Sequence, residues 1–135
     1  MPRSIFVNMP VRDLAKSKVF FESLGFHFNP QFTDDNAGCL VISDTIYAMI
    51  MTHERFKDFL PTKSICDAKQ STESLLALSC ETREEVDTFV KKAIAAGATT
   101  YKAPTDHGFM YIHEFQDLDG HIWEFFYMDP NFVQK

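Results

Sequence analysis

The sequence predicts an α+β fold built from two tandem βαβββ modules. Three observations carry this reading. Each half of the chain can be read as a strand, a helix and then three strands. Both helices have marked ends, with Asp13 and Thr82 as N-caps and Gly25 and Gly97 as stops. One constant offset aligns Val11 with Cys80, Asp13 with Thr82 and Phe20 with Phe89, and late in each half Ile46-Tyr47-Ala48-Met49 matches Ile122-Trp123-Glu124-Phe125.

In order, residues 4–9 read as a strand closed by Pro10, and a helix follows with Leu14, Ser17, Phe20, Phe21 and Leu24 at helical spacing. Residues 26–32 read as a second strand, bent or at an edge because of Pro30. Asp34-Asp35-Asn36 is turn chemistry, and residues 38–42 and 45–52 complete the first set of strands. Residues 53–60 suit one or two helical turns, with Phe56 and Phe59 on the apolar side. In the second half, residues 74–80 form a strand. Thr82 with Glu85 makes a capping box before a helix whose apolar face is Val86, Phe89, Val90, Ala93 and Ile94. Short strands at 99–102, 109–115 and 121–128 follow, with a turn at 104–108, and the tail after Asp129-Pro130 reads as loosely held. The expected organisation is one domain over 1–135: module one at 1–60, a polar linker or mobile loop at 61–73, and module two at 74–130.

Composition narrows the function. The hydrophobic share of 45% supports a real core, and fourteen Phe residues suggest an aromatic-lined core or cavity. Net charge is −6 and no Lys/Arg block occurs, which argues against nucleic acid and anionic membranes as partners. Three widely spaced cysteines without a CxxC read as free thiols of a reducing cytoplasm, and the N-terminus shows no signal-peptide pattern. No G-x-S-x-G and no phosphate-cradling glycine loop is present.

The stretch 116–128, QDLDGHIWEFFYM, stands out. An acidic Asp-x-Asp-Gly turn runs into an aromatic strand that carries one carboxylate, Glu124, between Trp123 and Phe125. A carboxylate in such a run is costly unless it is paired, protonated or bound. Three readings of Glu124 stay open: a hydrogen-bonded residue with no further role, held by Asn8 or the backbone; an acceptor for an amine or other donor on a ligand; and a catalytic general base. Among the histidines, His113 on the preceding strand is the candidate to approach Glu124. The pleat sends His121 to the opposite face.

Val11-Arg12-Asp13-Leu14 with Ser17, Phe20-Phe21 and Leu24-Gly25-Phe26, followed by Asp117-Leu118-Asp119-Gly120-His121 and Glu124, resembles the vicinal-oxygen-chelate superfamily. That superfamily includes glyoxalase I, bleomycin-resistance proteins and extradiol dioxygenases. The resemblance implies two half-cups of sheet enclosing a small-molecule cavity, commonly in a homodimer. It also implies a divalent metal held by His and Glu from the first and last strands of each module. Carried over by position, those ligands fall on Phe6, Ala48, Leu75 and Glu124, and only Glu124 is of a ligand type. The expectation is a protein that binds a small, partly apolar molecule in a pocket lined by Phe6, Asn8, Ala48, Ile50, Leu75, His113 and Glu124, without the standard metal or another cofactor. The alternative is a metal-dependent lyase or dioxygenase with a rearranged site at Glu124 and His113. A drug-sequestering resistance protein, with its pocket built by dimerisation, is a third class.

Overall fold

The structure, a computed structural model, describes residues 2–132. The chain divides into two compact units between Cys66 and Asp67, inside the polar stretch 61–73. Each is an α+β module with one four-stranded mixed sheet.

In the first unit the elements are β1 (Ile5–Val11), α1 (Leu14–Ser23), β2 (His27–Asn29), β3 (Ala37–Val41), β4 (Ile46–Thr52) and α2 (His53–Lys57). The sheet order is β1-β4-β3-β2, with β1 parallel to β4 and the other pairs antiparallel. β1 runs through Pro10 rather than stopping there. It lies at the sheet edge, where a missing N–H costs no ladder bond. Pro30 does end β2: residues Pro30–Phe32 form a 3-10 turn instead of extending the strand. The Asp13 side chain accepts from Lys16 N at 3.0 Å to start α1, and Leu14, Ser17, Phe20 and Phe21 are buried. One sheet face carries Val7, Met9 and Val11 on β1, Ala48 and Ile50 on β4, and Leu40 on β3, by direct pairing. Leu14 of α1 approaches this face beside Gly38, the partner of Ile50. The other face carries Phe6, Asn8, Tyr47 and Met49, and the rings of Phe6 and Tyr47 stack at 4.5 Å.

The second unit holds β5 (Leu76–Cys80), α3 (Arg83–Ala95), β6 (Thr105–Asp106), β7 (Met110–Gln116) and β8 (Ile122–Met128), in sheet order β5-β8-β7-β6. Again the first strand pairs parallel with the last. Thr82 Oγ1 accepts from Glu85 N at 3.0 Å, and the Glu85 carboxylate accepts from Glu81 N at 2.7 Å, so the reciprocal bond falls one residue earlier than in a standard capping box. α3 packs on β7 and β8. Phe89 stacks on Phe125 at 4.5 Å, and Phe115, Phe125 and Trp123 are fully buried, filling the layer between helix and sheet. The strand expected at 99–102 reduces to one bridge, Thr99 with Gln116. The β6 pair instead forms at Thr105–Asp106, within the segment expected to be a turn. At the C-terminus, the Asp129 side chain caps Asn131 N, and Phe132 stacks on Phe109 at 4.2 Å, so this part of the tail is held. Residues 133–135, the rest of that tail, lie outside the described residues.

The acidic turn between β7 and β8 is structural. Asp117 Oδ1 accepts from Asp119 N (2.9 Å) and His121 N (3.0 Å), while Oδ2 accepts from the Trp123 indole N–H (3.0 Å). One buried side chain thereby closes the turn and fixes the largest core residue. Gly120 takes φ +97°, and a Cβ there would stand 2.8 Å from the backbone of Ala68 and Lys69. Only glycine admits this close approach of the preceding segment. That segment is itself turned, with Asp67 accepting from Lys69 N through its side chain and from Gln70 N and Ser71 N through its carbonyl.

Candidate acidic site on the second module

The hairpin register answers which residue meets Glu124. β7 and β8 pair Glu114 with Glu124, and His113 with Phe125. Directly paired residues share a face, so Glu114 and Glu124 project together from the side of the sheet opposite α3. His113 is on the helix side, with Phe125. The expected approach of His113 to Glu124 therefore does not form, and neither does a rearranged metal pair made of these two. The residue that does meet Glu124 is Glu114, the immediate sequence neighbour of His113.

Glu114 is 5% exposed. Its Oε2 accepts from Lys102 Nζ at 3.1 Å and lies 3.4 Å from the Tyr101 hydroxyl. Its Oε1 is buried and has no hydrogen-bond partner among the described residues. Glu124 is less enclosed. Burial pushes its carboxyl above the ordinary value, the neighbouring Glu114 pushes it further, and Lys102 opposes both. The hydrogen bond to Glu114, followed by its charge, holds the Lys102 ammonium more firmly protonated. Burial and then Glu114 raise the Tyr101 phenol. Around the pair, Ile112 opposes Phe126 and Ala77 opposes Glu124, so the acidic centre is bordered by an apolar strip on the same face.

The other expected site residues separate. Phe6 and Asn8 share a face in the first module, both exposed, with Phe6 at 50%. Ala48 and Ile50 do not join them. They pair with Val7 and Met9 and are buried in the core beneath α1, at 0% and 1% exposure. The cause is a one-residue slip in the internal repeat. Val7 pairs with Ala48 as Leu76 pairs with Trp123, so Ala48 corresponds to Trp123, and Met49 corresponds to Glu124. Leu75 precedes β5 and is half exposed; its parity is that of Ala77, the partner of Glu124. Glu114, Lys102 and Tyr101 were not foreseen. The available signal was the hairpin itself, since the five residues 117–121 between paired Gln116 and Ile122 set which strand positions oppose Glu124.

The divalent metal of the superfamily does not fit these side chains. Phe6, Leu75 and Met49 offer a ring, an alkyl group and a thioether where hard cations need oxygen or imidazole. Among the described residues, no group of three or more His, Cys, Asp or Glu converges for a metal ion. The turn at His107-Gly108 is pinned. Arg83 donates to Asp106 Oδ2 (2.8 Å) and to the Gly108 carbonyl (2.9 Å), and Gly108 N donates to Asp106 Oδ1.

Comparison with known proteins agrees with this architecture. Residues 3–43 match the family described as bleomycin resistance protein-like N-terminal. A hypothetical protein from S. aureus is 31% identical, with 94% of this chain and 95% of that chain covered at a TM-score of 0.78. A glyoxalase/bleomycin resistance protein/dioxygenase family enzyme from Burkholderia phytofirmans is 25% identical over 91% of this chain and 96% of that one, at a TM-score of 0.73. A fosfomycin resistance protein from Mesorhizobium loti shares the fold, at 14% identity over 97% of this chain and 96% of that one, with a TM-score of 0.69. No curated protein matches the sequence significantly. Paired βαβββ modules, each with its first strand parallel to its last, define a glyoxalase-like architecture. The chain belongs to the vicinal-oxygen-chelate superfamily, of the glyoxalase/bleomycin-resistance/dioxygenase type. Among the described residues, no helix is long and apolar enough to cross a membrane.

Proposed function

We propose that this protein binds a small, partly apolar molecule against the second module's sheet face, with Glu124 and Glu114 as acceptors and without a divalent metal or other cofactor. The observation that carries the reading is the buried Glu114 Oε1, unpartnered among the described residues, beside a second carboxylate directly across the sheet. A buried acceptor left unsatisfied costs roughly 1–3 kcal/mol, which a donor on a ligand would recover. Ile112, Phe126 and Ala77 supply the apolar surface that holds the rest of the molecule. Homodimerisation and a cytoplasmic location belong to the same proposal. Ile5 and Phe6, large apolar side chains half exposed on the edge strand β1, are surface that a second copy would cover. Sedimentation at micromolar concentration checks this, and a monomer at all concentrations refutes the dimer.

The test of binding is a thermal-shift screen of a small-molecule library on the wild-type chain and Glu124→Ala, with elemental analysis of protein purified without a His tag. The expected result is hits whose stabilisation vanishes in Glu124→Ala, from protein with well under one metal per chain. Hits indifferent to Glu124→Ala refute the assignment of the face. A stoichiometric metal lost in Glu124→Ala refutes the metal-independent reading.

A further inference from the structure

The charge and hydrogen-bond state of the Glu114–Glu124 face say which ligand group it takes. We propose that this face selects a small organic monocation, a primary ammonium carried on an apolar body, and that Lys102 fills the ammonium's seat when no ligand is bound. The proposal rests on the reading above, that this face binds a small molecule.

The charge argument comes first. Glu124 feels one other acid, Glu114, and one base, Lys102, so two carboxylates share one cation. An anionic ligand meets net repulsion there. A neutral donor could satisfy one oxygen but would leave the charge excess in place. A monocation balances the set. Hydrogen bonding points the same way. An ammonium has three donors and no acceptor. It can therefore serve both carboxylates, including the unpartnered Oε1, without leaving a lone pair facing a carboxylate. A divalent cation is excluded by ligand number, because the face presents two carboxylates and no further His, Cys, Asp or Glu converges on them among the described residues.

Lys102 shows the geometry. Its Nζ already sits 3.1 Å from Glu114 Oε2, while its side chain is 51% exposed. An exposed lysine leaves such a pair at small cost. Glu114 Oε1 is buried next to the Oε2 that Lys102 holds, so in the proposed exchange the entering ammonium takes the Lys102 position as Lys102 moves out to solvent. Ile112 and Phe126 border the seat on the same face, and the aromatic ring there favours a nearby cation. The net charge of −6 draws cations to the protein in general.

The test compares three probes with one ring and three charges: benzylamine, benzyl alcohol and phenylacetate. Each is titrated into the ¹⁵N-labelled full chain at pH 7, and the amides of β5, β7 and β8 are followed. Benzylamine is expected to shift residues around 114 and 124 with an affinity about tenfold or more above benzyl alcohol, the size of one charge-assisted bond. Phenylacetate is expected not to bind. Glu124→Gln should remove the preference for the amine. Ala77→Lys, which puts a fixed ammonium opposite Glu124, should block it while leaving the spectrum dispersed. Lys102→Met should strengthen benzylamine binding several-fold, because the internal competitor is gone. If benzyl alcohol or phenylacetate binds this face as tightly as benzylamine, the cation inference fails while ligand binding by the face stands. If no probe shifts these amides, both fail. Weaker benzylamine binding in Lys102→Met overturns the role given to Lys102.

Discussion

Replacing Asp117 by Ala should loosen the β7–β8 connection and its tie to the core. The carboxylate accepts three bonds, two from backbone N–H groups of its own turn and one from the Trp123 indole. Trp123 is 1% exposed, so its N–H cannot turn to bulk water when the acceptor goes. Loss of that partner alone costs roughly 1–3 kcal/mol, and each turn bond adds about 0.5–1.5 kcal/mol, less whatever relaxation recovers. The expected total is about 2–4 kcal/mol, a fall in Tm of roughly 6–15 °C for a domain of this size. Asp117→Asn should cost less than Asp117→Ala, because Oδ1 still accepts from Asp119 and His121 while only the indole loses its partner. Urea denaturation followed by circular dichroism gives the free energies. Since Trp123 is the only tryptophan, its fluorescence reports the same site directly. A loss below about 1 kcal/mol in Asp117→Ala, with unchanged Trp123 emission, would refute the claim that this one side chain ties the turn to the core.

Gly120→Ala combines strain at φ +97° with a Cβ 2.8 Å from the Ala68 and Lys69 backbone, so it should cost about 2 kcal/mol or more. Gly108→Ala, at φ +84° with nothing within 4 Å, should cost only the strain, about 1–2 kcal/mol; equal losses in a denaturation series would show that the close approach is unimportant. Glu124 has a raised folded-state pKa, so the folded chain holds its proton more tightly and stability falls as pH climbs above the ordinary value of 4.5. Glu124→Gln should therefore be stabilising at pH 7, with the gain fading towards pH 4. A gain that does not change with pH, read from urea midpoints, would count against this. Arg83→Ala breaks an exposed ion pair and should leave the global denaturation midpoint almost unchanged. It should nevertheless speed amide exchange at residues 107–110, and unchanged exchange there would show that Arg83 does not hold the turn.

The two-module architecture was legible because its signals are local. Asp13 and Thr82 start the helices where their side chains can accept, and Gly25 and Gly97 stop them at φ +101° and +111°. The aromatic run around Glu124 divides as parity requires, with Trp123 and Phe125 buried on the helix side. What failed depends on register between strands. Matching Ile46-Tyr47-Ala48-Met49 to Ile122-Trp123-Glu124-Phe125 by residue type was off by one. One residue in a strand exchanges the faces, so Ala48 and Ile50 moved from the expected pocket to the core. The same sensitivity decided between His113 and Glu114. These neighbours must point to opposite sides, and the five-residue connection alone settles which one meets Glu124. Histidine drew attention as a metal ligand, yet the residue opposite Glu124 is a second acid.

The acidic residues of the 114–124 hairpin are set apart by burial and partners. Asp117 is enclosed with donors on both oxygens, an arrangement that specifies a turn and leaves no acceptor for a ligand. Glu114 is as enclosed, but only one of its oxygens is served. It pairs with a carboxylate that burial and mutual repulsion keep from ionising easily. Stability alone would favour replacing one member of that pair by an amide or an apolar residue, since like charges directly opposite on a sheet are destabilising. In the proposed site this cost falls beside Lys102, an exposed lysine that can leave as a small donor enters. Proteins meet such local costs chiefly at binding sites, so a penalty of the pair, once read from Glu124→Gln, bears on its use. If Glu124→Gln stabilises the chain at neutral pH and at the same time loses the amine preference, stability and recognition are opposed at this position. If it stabilises without affecting any ligand, Glu124 is a relic of the superfamily's metal site, and the binding function lies elsewhere on the molecule.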